Sequence, residues 1–324
     1  MPELPVPAEA RLWAVVVTFN RRALLEKCLD ALAAQTRALD RILVVDNAST
    51  DGTPEWVATE RPGVDLLALE ENAGGAGGFH AGLAAAHAGG AEWIWLLDDD
   101  TIARPDALAA LLAVDEGHDG RGRGDLPRPL LLSSRAEWVD GRLHPMNFPA
   151  FKRDLAAVID AAEHGVIPFR TATFVSLLVH RDAVDRFGLP CREYFIWSDD
   201  IEYTARVTRH APGYFVPDSV VVHETREAHT AITESGGRFY FHVRNSLWML
   251  RSPAWNSAEK LSVLWGVSFT TWLYLGHQRM RCESVGVVLR GVRDGLRGPL
   301  KLGRTAAWHR SIRSVGPRPT APPS

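Results

Sequence analysis

Four short apolar runs, each breaking off into polar or glycine-rich residues, constrain this chain more than any other feature. Ala14 to Phe19 (AVVVTF), Arg41 to Val45 (RILVV), Val64 to Leu69 (VDLLAL) and Glu92 to Leu97 (EWIWLL) have the length and apolar content of buried parallel strands. Between them the apolar period becomes helical. Leu24, Leu25, Cys28, Leu29 and Leu32 follow Asn20, a good N-cap residue type. Asp51-Gly52 and Pro54 open a second helix, Phe79 to Ala88 reads as a third, and Pro105 suits the first turn of a fourth. This alternation predicts a doubly wound α/β sheet, in which ligands bind outside the carboxyl ends of the strands. Those ends carry Thr18 to Arg21, Asp46 to Asp51, Asn72 to Gly78 and Asp98 to Asp100, so the polar segments gather on one edge.

The remainder is less regular. Asp115 to Pro129 reads as a surface loop, and further apolar segments lie at Thr173 to Val179 and Tyr214 to Val222. Helical patterns return over Arg238 to Arg251, Ala258 to Leu275 and Val285 to Leu296. The expected division is a sheet domain over 1–235, a helical region over 236–312 and a disordered tail over 313–324. A net charge of -3 in 324 residues gives no reason to expect nucleic-acid binding. That figure hides an asymmetry, because the chain from His277 onward holds ten Lys or Arg against two acids, Glu283 and Asp294. Three dispersed cysteines form neither a disulfide framework nor a metal-ligand pattern, which suits a reducing cytoplasm. The N-terminal residues lack a secretory pattern, and the apolar stretch Leu261 to Gly276 is shorter than a bilayer span.

Three consecutive aspartates at the end of an apolar strand repel one another unless a cation sits among them. A divalent ion bridging a diphosphate answers that need, and hard carboxylate oxygens suit magnesium or manganese. Alternation along the strand end directs Asp98 and Asp100 to one target and Asp99 to another; a solvated acidic turn is the bland alternative. The segment from Asp46 to Thr50 (DNAST) suits reading of a nucleotide base edge, although alone it is an ordinary Asx turn. The glycines Gly74 to Gly78 precede a helix but do not give the GxGxxG fingerprint, and a dinucleotide site is rejected. A second acidic cluster, Trp197 to Tyr203 (WSDDIEY), follows Tyr194 and Phe195. Its aromatics suit sugar faces, and one carboxylate suits a general base; a helix with an acidic first turn explains the same residues. His223 ends an apolar run and is the best metal-ligand histidine, although spacing alone does not separate it from a structural one.

Taken together, VVVTFNR, VVDNASTDGT, ENAGGAGGF, WIWLLDDD and WSDDIEY resemble the inverting family 2 glycosyltransferases of GT-A fold. NAGGAGGF, the triple Asp, WSDDIEY and FHVRNSLWML resemble, more narrowly, the actinobacterial galactofuranosyltransferases and their rhamnosyltransferase relatives, from about residue 12 to 250. The resemblance implies a Rossmann-like, doubly wound mixed sheet with a C-terminal helical region, and a Mn2+ or Mg2+ cofactor. It implies that Thr18, Asn20 and Asp46 line the base and ribose, with Arg21, Asn72 and Gly75 also in the nucleotide-sugar site. Asp98 and Asp100 would take metal and diphosphate, with His223 at the position of a histidine ligand and Asp99 towards the donor sugar. Asp200 would be the general base, Asp199 its partner in holding the acceptor, and Trp197 would pack on a sugar.

The expected reaction moves galactofuranose from UDP-galactofuranose, or alternatively rhamnose from dTDP-rhamnose, to a polyprenyl-linked or glycan acceptor. A nucleotidyltransferase would want a glycine-rich basic loop at the first strand, and NRRALLEK has arginines without glycines. A non-catalytic carbohydrate binder would have little reason to keep both acidic clusters. The tryptophans and basic residues over 258–313 suit peripheral contact with the inner face of the cell membrane; a packed core helix, or the dimer face of a homo-oligomer, with a solvated basic tail explains the same residues.

Overall fold

The computed structural model describes residues 12–116, 126–227, 235–298 and 312–314. The alternation expected of the first hundred residues is present. It runs β1 (Leu12–Thr18), α1 (Arg22–Ala33), β2 (Arg41–Asp46), α2 (Thr53–Glu60), β3 (Val64–Leu69), α3 (Gly74–Ala88) and β4 (Trp93–Asp98). Next come β5 (Thr101–Ala103), α4 (Ala107–Glu116), β6 (Leu131–Glu137), β7 (Ala150–Phe151), α5 (Leu155–Glu163) and β8 (Ile167–Thr171). Then follow β9 (Ser176–His180), α6 (Arg181–Phe187), α7 (Asp199–Thr208) and β10 (Gly213–His223). Helices α8 (Phe239–Met249), α9 (Ser257–His277) and α10 (Cys282–Arg297) make the C-terminal region, and β11 (Ile312–Ser314) is a last short strand. Of the loop expected over 115–129, Asp115 belongs to α4, Leu126 is buried, and 117–125 lie outside the described residues.

The sheet is mixed, in the order β11-β3-β2-β1-β4-β9-β6-β10-β8-β7. β3, β2, β1 and β4 run parallel, β9 enters antiparallel between β4 and β6, and β10 is parallel to β6. Alternating side chains feed two cores, which is why these strands read as continuous apolar runs. Ala14, Val16, Trp95 and Leu97 pack with Leu25 and Leu29 of α1 and Leu108 of α4. Trp13, Val15, Val17, Ile94 and Leu96 pack with Phe79 and Leu83 of α3 and Val207 of α7. Truncating a fully buried residue such as Leu96 to Ala costs about 2–5 kcal/mol.

Two local expectations are corrected. Helix α3 starts at Gly74, not Phe79, so the glycines lie inside it. Close packing overrides their poor propensity: a Cβ on Gly78 would meet Val17 at 2.5 Å, and one on Gly82 would meet Val15 at 2.3 Å. Asn20 does not cap α1, whose N-cap is Arg21 without a side-chain cap bond. Asn20 is left-handed (φ 54°), and its Oδ1 instead accepts from Thr50 N at 2.7 Å, tying the ends of β1 and β2 together.

The helical region is continuous with the sheet domain. Trp248 and Met249 of α8 share a core with Ala76, Tyr194, Ala205 and Trp255, while Phe239 and Val243 pack with Tyr274 and Val287. An Asn256–Glu259 capping box starts α9. β11 pairs antiparallel with β3, so the tail boundary placed after residue 312 falls inside a strand; 315–324 lie outside the described residues.

Candidate active site

Sheet register assembles the first acidic cluster. β5 pairs antiparallel with the end of β10, Thr101 opposite His223, and Glu224 N donates to the Asp100 carbonyl at 2.8 Å. This carries His223 from far along the chain to the aspartates at the end of β4. Asp98, Asp100 and His223 each present a ligand atom, all within 4.8 Å of one another. Ligands on opposite sides of an octahedral ion with bonds of ~2.1 Å are about 4.2 Å apart, so small side-chain movements close the site. Two carboxylates and an imidazole form a donor set that fits manganese or magnesium.

His223 Nε2 lies 3.0 Å from Asp100 Oδ1, and its Nδ1 is 2.8 Å from Asn147 Oδ1. Asn147 Oδ1 can only accept, so it fixes a proton on Nδ1 and leaves Nε2 facing the carboxylates. Burial works to lower the His223 pKa, but the hydrogen bond and charge of Asp100, then the charge of Asp98, outweigh it and raise it. Burial works to raise Asp100, yet His223 and then Arg21 hold it below the ordinary carboxylate range. At Asp98 the same cations are outweighed; burial, then repulsion from Asp100, pushes it up to about 7 against the pull of His223 and Arg21.

Asp99 looks elsewhere. Thr18 Oγ1 donates to its Oδ2 at 2.8 Å, and Arg21 Nη1 reaches its Oδ1 at 3.3 Å and Asp100 Oδ2 at 2.6 Å. Burial, then Asp100, raises Asp99 to about 6 against the pull of Arg21. The Arg21 side chain remains half exposed, with room to move.

Beside this cluster lies the end of β2. Asp46 is fully buried; its Oδ2 accepts from Ser49 N at 2.9 Å, while Oδ1 has no hydrogen-bond partner. Burial raises its pKa despite the bonds from Ser49. Asn47 Oδ1 is likewise buried without a partner. A buried acceptor left unpaired is costly, and a ligand N–H relieves that cost. Asn72 is exposed and its Oδ1 accepts from Gly74 N at 2.8 Å, an Asx turn leading into α3. Among the α3 glycines that bring the helix close to its neighbours, Gly75 differs: a Cβ there meets nothing within 4 Å.

The second acidic cluster begins α7, whose first turn holds Asp199, Asp200 and Glu202. The turn before it is strained: Phe195, Trp197 and Ser198 have φ of 66°, 61° and 71°, which costs on the order of 1–3 kcal/mol per residue. Burial, then Asp200, raises the Asp199 pKa well above the carboxylate range, and the nearby Asp98 charge adds to it. Burial also raises Asp200, to about 6, against a hydrogen bond from Ile201 N. The charge of Asp98 thus reaches Asp199, which sets the two acidic clusters near one another. Trp197 is part-exposed, at 36%. Glu202 turns inward instead, to Arg206 at 3.0 Å and Ser252 at 2.6 Å.

Sequence reasoning missed Asn147 and His144, whose ring centre is 4.8 Å from that of His223 and whose pKa burial lowers to about 4. It also gave no role to Arg244 and Asn245, although two polar residues inside the apolar helical run FHVRNSLWML were a usable signal.

Comparison with known proteins places this geometry. Residues 13–120 match the family described as Glycosyl transferase family 2. Galactofuranosyltransferase GlfT1 of Mycobacterium tuberculosis is 30% identical over 264 residues, covering 75% of this chain and 83% of that protein. GlfT1 of Mycolicibacterium smegmatis is 33% identical over 203 residues; the match spans 60% of this chain and 65% of that protein, just under two thirds of its length. The N-acetylglucosaminyl-diphospho-decaprenol L-rhamnosyltransferase of M. tuberculosis is 25% identical over 282 residues, 77% of this chain and 90% of that one. In fold, the chain is similar to S. aureus TarS 1-349, crystallised with UDP-GlcNAc, at a TM-score of 0.57 and 16% identity over 89% of this chain and 81% of that one. With the mixed α/β sheet and acidic strand ends these likenesses agree, and the chain belongs to glycosyl transferase family 2.

Proposed function

We propose that this glycosyltransferase moves galactofuranose from UDP-galactofuranose, with inversion, to a hydroxyl of a lipid-linked or glycan acceptor. The observation that carries the mechanism is the meeting of two acidic clusters of different chemistry. Asp98, Asp100 and His223 offer a cation site, and buried Asp199 with part-buried Asp200 forms an adjacent acid pair. Bound manganese or magnesium would be held by Asp98, Asp100 and His223 and would supply positive charge to the departing diphosphate. Asp46 Oδ1, buried and unpaired, suits an N–H on the edge of a pyrimidine base. Arg21 is placed to turn from Asp99 and Asp100 to a donor phosphate oxygen.

Within this pair, burial and then the Asp200 charge favour the protonated form of Asp199, which suits donation to an acceptor oxygen. Asp200, ionised above about 6, takes the proton of the attacking hydroxyl. The hydroxyl oxygen then bonds to the anomeric carbon as the bond to the nucleoside diphosphate breaks. Trp197 offers a ring face to the acceptor sugar.

The sugar assignment leans on GlfT1; the rhamnosyltransferase likeness, over 90% of that protein, supports dTDP-rhamnose as the second reading. Transfer from each donor to a synthetic polyprenyl-diphospho-glycan, with and without manganese, decides between them, with the anomeric configuration of the product read by NMR. Manganese-dependent, inverted transfer from UDP-galactofuranose alone is the expected result. Transfer from dTDP-rhamnose alone replaces the sugar, and retention of configuration defeats the mechanism.

A lipid-linked acceptor fits the outer face of α9. Leu261, Leu264, Trp265, Phe269 and Trp272 stand exposed along one side, Trp265 at 73%. Arg279, Arg281, Arg290, Arg293 and Arg297, in the turn and helix that follow, are exposed as well. No described helix is long and apolar enough to cross a membrane, and a peripheral seat on the inner, anionic face of the cell membrane suits this surface. Flotation with anionic liposomes at low salt tests it; a protein that stays off them sinks it.

A further inference from the structure

We infer that Asn245, braced by Arg244, is a positioning residue that sets the aim of Asp199 and Asp200 from the C-terminal helical region. The inference rests on the reading of Asp200 as the general base. Both acids begin α7 directly after a turn in which Phe195, Trp197 and Ser198 are all left-handed. Non-glycine residues hold such a path only when their surroundings impose it.

The surroundings here are donors aimed at successive carbonyls. Asn245 is fully buried, and its Nδ2 lies 3.1 Å from Tyr194 O, 2.8 Å from Ile196 O and 3.0 Å from Trp197 O. Arg244 Nη2 donates to Glu193 O at 2.9 Å and to Tyr194 O at 2.8 Å. The remaining carbonyl, Phe195 O, accepts from Ala76 N at 3.1 Å. Every carbonyl from 193 to 197 is therefore held, four by α8 and one by the start of α3.

The amide itself is oriented, because Arg244 Nε donates to Asn245 Oδ1 at 2.9 Å and the guanidinium lies 4.2 Å from the Trp248 ring centre. Only a donor serves at position 245. A carboxylate of the same shape would set negative charge against three carbonyl oxygens. The α3 side is equally fitted: a Cβ on Gly74 would stand 2.1 Å from Phe195 O. Neither Asn245 nor Arg244 touches the cation ligands, so the device should act on the acids and leave donor binding alone.

The test compares Asn245→Ala, Asn245→Asp and Arg244→Lys with the wild type. Three quantities are read: turnover at saturating donor and manganese, UDP affinity with manganese, and amide hydrogen exchange by mass spectrometry. Both Asn245 variants should turn over about 100-fold more slowly than the wild type, the cost of a misaimed base, and Arg244→Lys about 10-fold more slowly. UDP affinity should stay within about threefold in all of them. Exchange should quicken over 195–201 and stay unchanged over 93–103. If an Asn245 variant does not fold, Arg244→Lys, which keeps the charge and loses the fork, still decides. Parallel loss of turnover and UDP affinity, or unchanged exchange over 195–201, overturns the inference. Asp200→Asn separates the two failures. Turnover retained there defeats the base assignment; turnover lost there but kept in Asn245→Ala defeats only the positioning role.

Discussion

The two acidic clusters are positioned by different means. Asp98, Asp100 and His223 stand where the register of β4, β5 and β10 puts them, so regular backbone does the positioning. Asp199 and Asp200 stand where a strained turn puts them, and that turn is held by side chains some fifty residues away on α8. Regular backbone resists a lost side chain, because ladder hydrogen bonds remain. A clamped turn fails locally when one donor is removed. The donor half should therefore tolerate changes around its ligands better than the acid half tolerates changes around its clamp.

The largest effect is expected at the acid itself. Asp200→Asn should slow turnover by about 10³-fold, within the usual 10²–10⁴ range of a general base, while UDP affinity stays within a few-fold. Equal loss of both quantities in steady-state and calorimetric measurements would dissolve the division into halves.

On the other side, Asn147→Ala removes the acceptor that holds His223 Nδ1 and should weaken manganese affinity by roughly 10-fold. Manganese EPR titration reads this directly, and unchanged affinity would remove Asn147 from the cation site.

The pH profile sharpens the comparison further. Burial raises Asp200 to about 6, so kcat/KM should fall as pH drops below about 6, where the base takes up a proton, and level off above it. An activity plateau continuing down to pH 4 would show an ordinary, solvated carboxylate.

The smallest effects lie in α3. Gly78→Ala forces a Cβ against Val17 and should cost about 1–3 kcal/mol in denaturant unfolding. Gly75→Ala meets open space and should stabilise the helix by about 0.5–1 kcal/mol. If the donor passes close to that space, the same variant loses UDP affinity; unchanged affinity takes Gly75 out of the site.

Strand ends were legible because apolar, β-branched runs that stop at aspartates carry both their period and their end in the sequence. The helical start at Gly74 was not, since glycine propensity argues against a helix and only the facing valines explain it. Asn20 looked like a cap because its residue type suits one, yet its amide serves Thr50 across the sheet edge. Asn147 and Asn245 act over 76 and about 50 residues of chain, a separation at which one sequence offers no local period to read. The left-handed Trp197 and Ser198 are also invisible beforehand, because side-chain type argues against that conformation.

The most direct measurement is thermal unfolding with UDP, with and without manganese, for the wild type and for Asp98→Asn/Asp100→Asn. A ligand that binds the native state alone stabilises it by about 2.7 kcal/mol at a hundred times its Kd. The expected result is a rise in Tm with UDP only when manganese is present, lost in the double variant. Stabilisation by UDP that ignores both manganese and the double substitution, or no response to UDP or dTDP at all, would contradict a metal-assisted nucleotide-sugar site at the ends of these strands.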